Sequence, residues 1–189
     1  MMPLILAALL ALGPGSPRAG APPNAAQDAP AMQLSDEEIR ARIEAFLGSI
    51  DTPIPAAQWR ALGPKAGPML EQMATDPRSL PTRRARALDG LARVGSPGAP
   101  QLFVQLAQSE SEPLVVRLSA LHGAERALRK DHLVPALRPV LQSANSPHLR
   151  RAAAEALARH GGCGVVREQA QKEDEPELMT AALARCEKR

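Results

Sequence analysis

An all-α chain, folded as an α-solenoid in which helical hairpins stack into a right-handed superhelix, is what this sequence of 189 residues predicts. Three observations carry the prediction. The chain repeats itself: "LPTRRARALDGLARVG" (80–95), "PLVVRLSALHGAERAL" (113–128) and "SPHLRRAAAEALARHG" (146–161) align without gaps at a spacing of 33 residues. Each copy follows a second helical stretch across a short Pro- or acid-containing turn, so the unit is helix, turn, helix. And there is no tyrosine and only three aromatic residues, Phe46, Trp59 and Phe103, the apolar character coming from Ala, Leu and Val. Small side chains let helices pack closely, and alanine is the best intrinsic helix former. A period in this range marks units that cannot bury their faces alone and must stack.

From the N-terminus, Pro3 to Leu12 ("PLILAALLAL") is an apolar run about half as long as a membrane span requires. It matches the apolar region of a secretory signal peptide, with Ala19-Gly20-Ala21 as the cleavage site, so residues 1–21 are expected to be a leader. The expected location is then periplasmic or extracellular, with no stable membrane insertion once the leader is gone. Retention of the N-terminus would place the chain in the cytoplasm. Residues 22–34, rich in Pro and Ala and without periodicity, read as a disordered linker.

The helical domain is expected over residues 35–189. Ser35 and Glu38 have the spacing of a capping box, and Ile39, Ile43, Phe46 and Leu47 then share one helix face. After the Pro-rich turn "DTPIP" a short helix forms around Trp59. Together these are N-terminal capping helices, with Trp59 and Phe46 in their core rather than forming a ligand platform. Four first helices follow, in "AGPMLEQMATD", "GAPQLFVQLAQS", "LVPALRPVLQSA" and "CGVVREQAQKE", each with its second helix; the fourth copy, "DEPELMTAALARCEK", is degenerate. About four repeats result, in the range such arrays need.

Four columns recur in the second helices: Arg84, Arg117, Arg150; Ala87, Ala120, Ala153; Gly90, Gly123, Ala156; and Arg93, Arg126, Arg159. With stretches such as "LRRAAAEAL" (149–157) and "VRLSALHGA" (116–124), the pattern resembles the V-R-x-x-A-A-x-A-L second helix of HEAT-like repeats, closest to the compact bacterial variety. The resemblance covers about residues 66–188. It implies fold far more than function, since the family holds scaffolds, enzyme regulators, chromophore lyases and a DNA glycosylase. It also implies that the Arg84, Arg117 and Arg150 column is a structural ladder, tying neighbouring units through an acid or a carbonyl in the turns, where Asp76, Glu112 and Asn145 stand. On the helical wheel these arginines sit at the edge of the packed face; an anion-binding row is the functional alternative.

Arg93, Arg126 and Arg159 lie nine residues further on, about 180° round the helix, and should face outward. Asp89–Arg93 and Glu155–Arg159 are i,i+4 pairs in the favourable direction, worth about 0.2–0.5 kcal/mol each. The resemblance implies that second helices line a concave surface. Arg86, Asp89, Arg93, His122, Arg126, Arg151, Glu155 and Arg159 are therefore the candidate partner-binding residues, an ordinary solvated charged face being the alternative. With the row facing solvent, Arg159→Ala is expected to leave stability nearly unchanged.

His122, His132, His148 and His160 never stand four residues from one another or from a cysteine, and no nucleophile recurs beside them. No catalytic residue, metal or cofactor is expected. The formal charge of +3 and the scarcity of aromatics argue against nucleic acid. Cys163 opens the first helix of the last unit and Cys186 closes its second, nearly equidistant from the turn at Asp174. In an antiparallel pair these positions adjoin, so a disulfide is expected in an exported chain, contributing about 3 kcal/mol. The function these readings favour is a monomeric, non-catalytic, exported scaffold that grips a protein or peptide on its concave face. An intracellular HEAT-repeat regulator and a lyase-like enzyme subunit are the alternatives.

Overall fold

The computed structural model describes residues 34–49 and 52–188. The leader assigned to residues 1–21 and nearly all of the linker at 22–34 lie outside them. Among the described residues every regular element is helical: α1 (Asp36–Gly48), α2 (Ala56–Arg60), α3 (Ala66–Thr75), α4 (Pro81–Val94), α5 (Ala99–Gln108), α6 (Leu114–Ala127), α7 (Lys130–Ser143), α8 (Pro147–Arg159), α9 (Cys163–Ala170) and α10 (Thr180–Glu187), the last preceded by a 3₁₀ turn at Pro176–Met179. None of these helices is long and apolar enough to cross a membrane.

The sequence period reappears as geometry. Helices α4, α6 and α8 begin at residues 81, 114 and 147, and α3 and α5 begin at 66 and 99, each 33 apart. A proline opens or immediately precedes each of α4, α6 and α8, where its fixed φ suits the first turn and its missing N–H costs nothing. α3 packs on α4, α5 on α6, α7 on α8 and α9 on α10, while α4, α6, α8 and α10 also touch one another in sequence. α1 lies against α3 and α4, and α2 against α4. The capping box at Ser35 forms: the Ser35 hydroxyl accepts from the Glu38 amide and the Glu38 carboxylate accepts from the Ser35 amide.

The alanine column is fully enclosed, with Ala87, Ala120 and Ala153 at 0% exposure among Leu88, Leu91, Leu121 and Leu157. The glycine column has a cause the repeat alone does not reveal. A Cβ on Gly90 would lie 2.6 Å from Trp59 Cζ3, and one on Gly123 would lie 2.5 Å from Phe103 Cδ1. Two of the three aromatic rings thus lie directly on helix backbones stripped of side chains. No aromatic stands in α7, and α8 carries Ala156 in that column.

One unit departs from the pattern. The expected first helix at 133–144 instead begins at Lys130 and runs 14 residues, against 10 for α5. It holds Pro135 and Pro139 within its body, both exposed. Each removes one backbone hydrogen bond, tolerable where water reaches the freed carbonyl. Leu133, Leu137, Val140 and Leu141 still supply a continuous buried face.

Candidate functional site

The arginines at 84, 117 and 150 are drawn further inward than a position at the edge of the packed face. Arg84 and Arg117 are each only 6% exposed. Arg84 Nε donates to the Ala74 carbonyl at 2.8 Å, Arg117 Nε to Ala107 at 3.2 Å, and Arg150 Nη1 to Ala144 at 3.0 Å. Each guanidinium therefore closes the C-terminal end of the first helix in its own hairpin, where carbonyls lack intrahelical partners. The carboxylates come from elsewhere. Arg84 holds Glu112, in the following turn, through Nη2 at 2.8 Å and Nη1 at 2.7 Å. Arg150 holds Glu173 through Nε at 3.0 Å and Nη2 at 2.6 Å. The Arg150 bonds pull the Glu173 carboxyl below its ordinary range, burial opposing them. Asp76 is not a rung: it accepts from the Arg78 amide and the Ser79 hydroxyl within its own turn.

On the opposite side of α4, the structure brings Arg86, Asp89 and Arg93 to one recess of about 300 Å³, walled also by Phe46, Trp59, Ile54 and Pro53. Phe46 and Trp59 meet edge to face with centroids 5.0 Å apart, Trp59 being 4% exposed. They serve both as core of the first helices and as the floor of this recess. Arg86 Nη1 donates to the Leu47 carbonyl at 3.0 Å, tying α4 to the end of α1. The expected Asp89–Arg93 side-chain pair is replaced: Arg93 Nη1 donates to the Asp89 carbonyl at 2.8 Å, leaving the carboxylate for the recess. Asp89 is accessible to solvent but closely surrounded; desolvation raises its carboxyl above the ordinary value, while Arg93, Arg126 and His122 pull it back. Arg93 and Arg126 both border a neighbouring recess of about 300 Å³ beside Phe103.

Farther along, the expected outward row closes on itself. Arg159 does not stand free beside Glu155, which lies 3.9 Å away; its fork holds Glu125 of α6 through Nε at 2.6 Å and Nη2 at 3.0 Å. His160 Nε2 lies 3.1 Å from the same carboxylate. The Arg159 bonds hold the Glu125 carboxyl below its ordinary range against desolvation. This corrects the expectation for Arg159→Ala, because that change would leave a half-buried carboxylate without its main partner. Arg151, exposed, pairs with Glu155 at 3.0 Å. The eight candidate residues thus fall into two groups: Arg86, Asp89 and Arg93 around the recess, with His122 and Arg126 as charged neighbours of Asp89; and Arg151, Glu155 and Arg159, where Arg151 pairs with Glu155 and Arg159 with Glu125.

The residues the sequence reading missed are Glu125, Glu173 and His160. Glu125 had a signal, because it adjoins Arg126 and the period that aligns Arg126 with Arg159 brings it there too. At the far end Cys163 and Cys186 are bonded, their Cα atoms 5.6 Å apart. Among the described residues no group of three or more His, Cys, Asp or Glu side chains is placed to hold a metal ion. Comparison of the chain with protein-family models, with curated proteins and with solved structures finds no match.

Proposed function

We propose that this chain is a HEAT-like α-solenoid that works without catalysis, as an exported scaffold, binding a protein or peptide along the face carried by α4 and α6. The observation that carries the reading is the recess at Trp59. It joins an aromatic floor to two arginines and one acid, a mixture suited to a peptide side chain plus its flanking backbone and charge. The row of second helices, each touching the next, would extend that contact from Asp89 past His122 and Arg126. The Cys163–Cys186 bond supports export, since such bonds persist in oxidising compartments.

The test is selection of peptides from a displayed library on the full-length chain, followed by calorimetry with the enriched sequence. Arg93→Glu and Asp89→Lys are each expected to weaken binding at least tenfold, about 1.4 kcal/mol, without lowering the Tm. Arg138→Glu, at an exposed position of α7, is expected to leave it unchanged. Equal affinity in all three variants, or no enriched sequence, would sink the assignment. Intact mass of the protein from its native cell tests export separately, through loss of about the first 21 residues.

A further inference from the structure

The recess at Trp59 leaves one ion pair unmade. Asp89 and Arg93 stand four residues apart on α4, in the direction that favours pairing, yet Arg93 Nη1 donates to the Asp89 backbone carbonyl instead. Among the described residues the Asp89 carboxylate enters no hydrogen bond and no ion pair. Desolvation raises its carboxyl, and Arg93, Arg126 and His122 pull it back without touching it. Only Nη1 of the Arg93 guanidinium is spent on the helix, so its other donors remain.

Both groups wall the recess, together with Phe46, Ile54 and Trp59. The apolar wall is buried or half-buried, and the rim at Thr52, Pro53 and Asp89 is exposed. A volume of about 300 Å³, open on the solvent side, takes one large side chain with its backbone rather than a folded surface. Charge complementarity then selects the occupant. A carboxylate, from a side chain or a C-terminus, would satisfy Arg93 but meet Asp89 as a like charge. A Lys or Arg side chain would satisfy Asp89, but it brings no acceptor for Arg93 and adds a positive charge near Arg93 and Arg126. The first residue of a peptide carries both halves of the missing pair. Its ammonium donates, its carbonyl accepts, and its side chain leaves from the carbon between them.

We propose that the recess captures the free N-terminus of a partner peptide whose first residue is apolar, an inference that rests on peptide binding at this face and adds which part of the peptide is read. The α-ammonium donates to the Asp89 carboxylate and the first carbonyl accepts from the Arg93 guanidinium. The first side chain lies on Phe46 and Ile54 beside Trp59.

The test is an NMR titration of the isotope-labelled full-length chain with Leu-Ala-Ala-amide, with its N-acetylated form and with leucinamide. The free peptide is expected to bind at least about tenfold more tightly than the acetylated one, since acetylation removes the cation. Its affinity should fall as pH rises through the α-amino value, about 7.7–8.0, because the ammonium is lost there. Asp89→Asn, a change at an exposed side chain, should bring the free peptide to the level of the acetylated one and remove that pH dependence. Arg93→Gln should weaken both forms alike, because both carry the first carbonyl. Equal affinity of the free and acetylated peptides, or a free peptide indifferent to Asp89→Asn, overturns the capture of a terminus and leaves peptide binding at this face intact. Leucinamide as tight as the tripeptide overturns it too, because a single amino acid then fills the site. No shift with any of the three also overturns it, and peptides selected from the displayed library then decide the broader reading by themselves.

Discussion

Two arginine rows run along the same three helices with the same spacing, nine residues apart, and the protein uses them in opposite ways. Arg84, Arg117 and Arg150 point into the seam between a helix end and the next turn, where each finishes a row of carbonyls that would otherwise go unpaired. Arg93, Arg126 and Arg159 lie on the far side of their helices, where one bonds its own helix backbone, one is exposed and one reaches across to Glu125. The chemistry of a guanidinium is the same in both rows. What differs is the dielectric around it and whether its partner has another way to be satisfied.

Breaking this contrast should therefore give a graded series. Arg84→Met strands Glu112, whose side chain is 18% exposed, and should cost about 3–5 kcal/mol in urea unfolding. A loss below 1 kcal/mol would mean the inner row does not hold the seam. Gly123→Ala, which thrusts a methyl to within 2.5 Å of the Phe103 ring, should cost about 1–3 kcal/mol. Arg159→Met, on a side chain one third exposed, should cost about 1 kcal/mol, between a surface pair and a buried one.

The same variant carries a pH signature. Glu125 has a folded value lowered by Arg159 first, and by His160 less, from an ordinary 4.5. Its contribution is complete above that ordinary value and is lost as pH falls through the lowered folded one. The acid limb of the Tm profile should thus flatten in Arg159→Met relative to the parent. Smallest of all, Arg126→Ala should stay within about 0.5 kcal/mol at every pH, as expected of an exposed side chain.

How far the sequence could be read follows from which distances matter. Helix starts at 81, 114 and 147 were legible because period, proline and apolar face are local signals. The bond between Cys163 and Cys186 was legible because both positions are counted from one turn. The glycines at 90 and 123 were visible as a column but mute, since the rings that demand them stand on other helices. The acids of the inner row were legible in part: Glu112 was named with its turn, Glu173 was not. Glu112 lies 28 residues after Arg84 and Glu173 lies 23 after Arg150, so no fixed offset identifies the partner. The early start of α7 was not legible, because Lys130, Asp131 and His132 are polar and add nothing to the apolar face. The candidate recess was half legible: its charges came from one helix, its aromatic floor from two others.

That floor has a practical consequence. Trp59 is the only tryptophan in a chain without tyrosine. Excitation at long ultraviolet wavelength therefore lights one spot in the whole molecule, and that spot walls the recess formed with Arg86, Asp89 and Arg93. Emission from the folded chain should be blue, as befits a ring 4% exposed, and anything entering the recess should alter its intensity or colour directly. The C-terminal hairpin, many helices away, is dark to the same light. A single fluorescence titration thus distinguishes a ligand at the Trp59 recess from one at the far end, with no label attached and no residue changed.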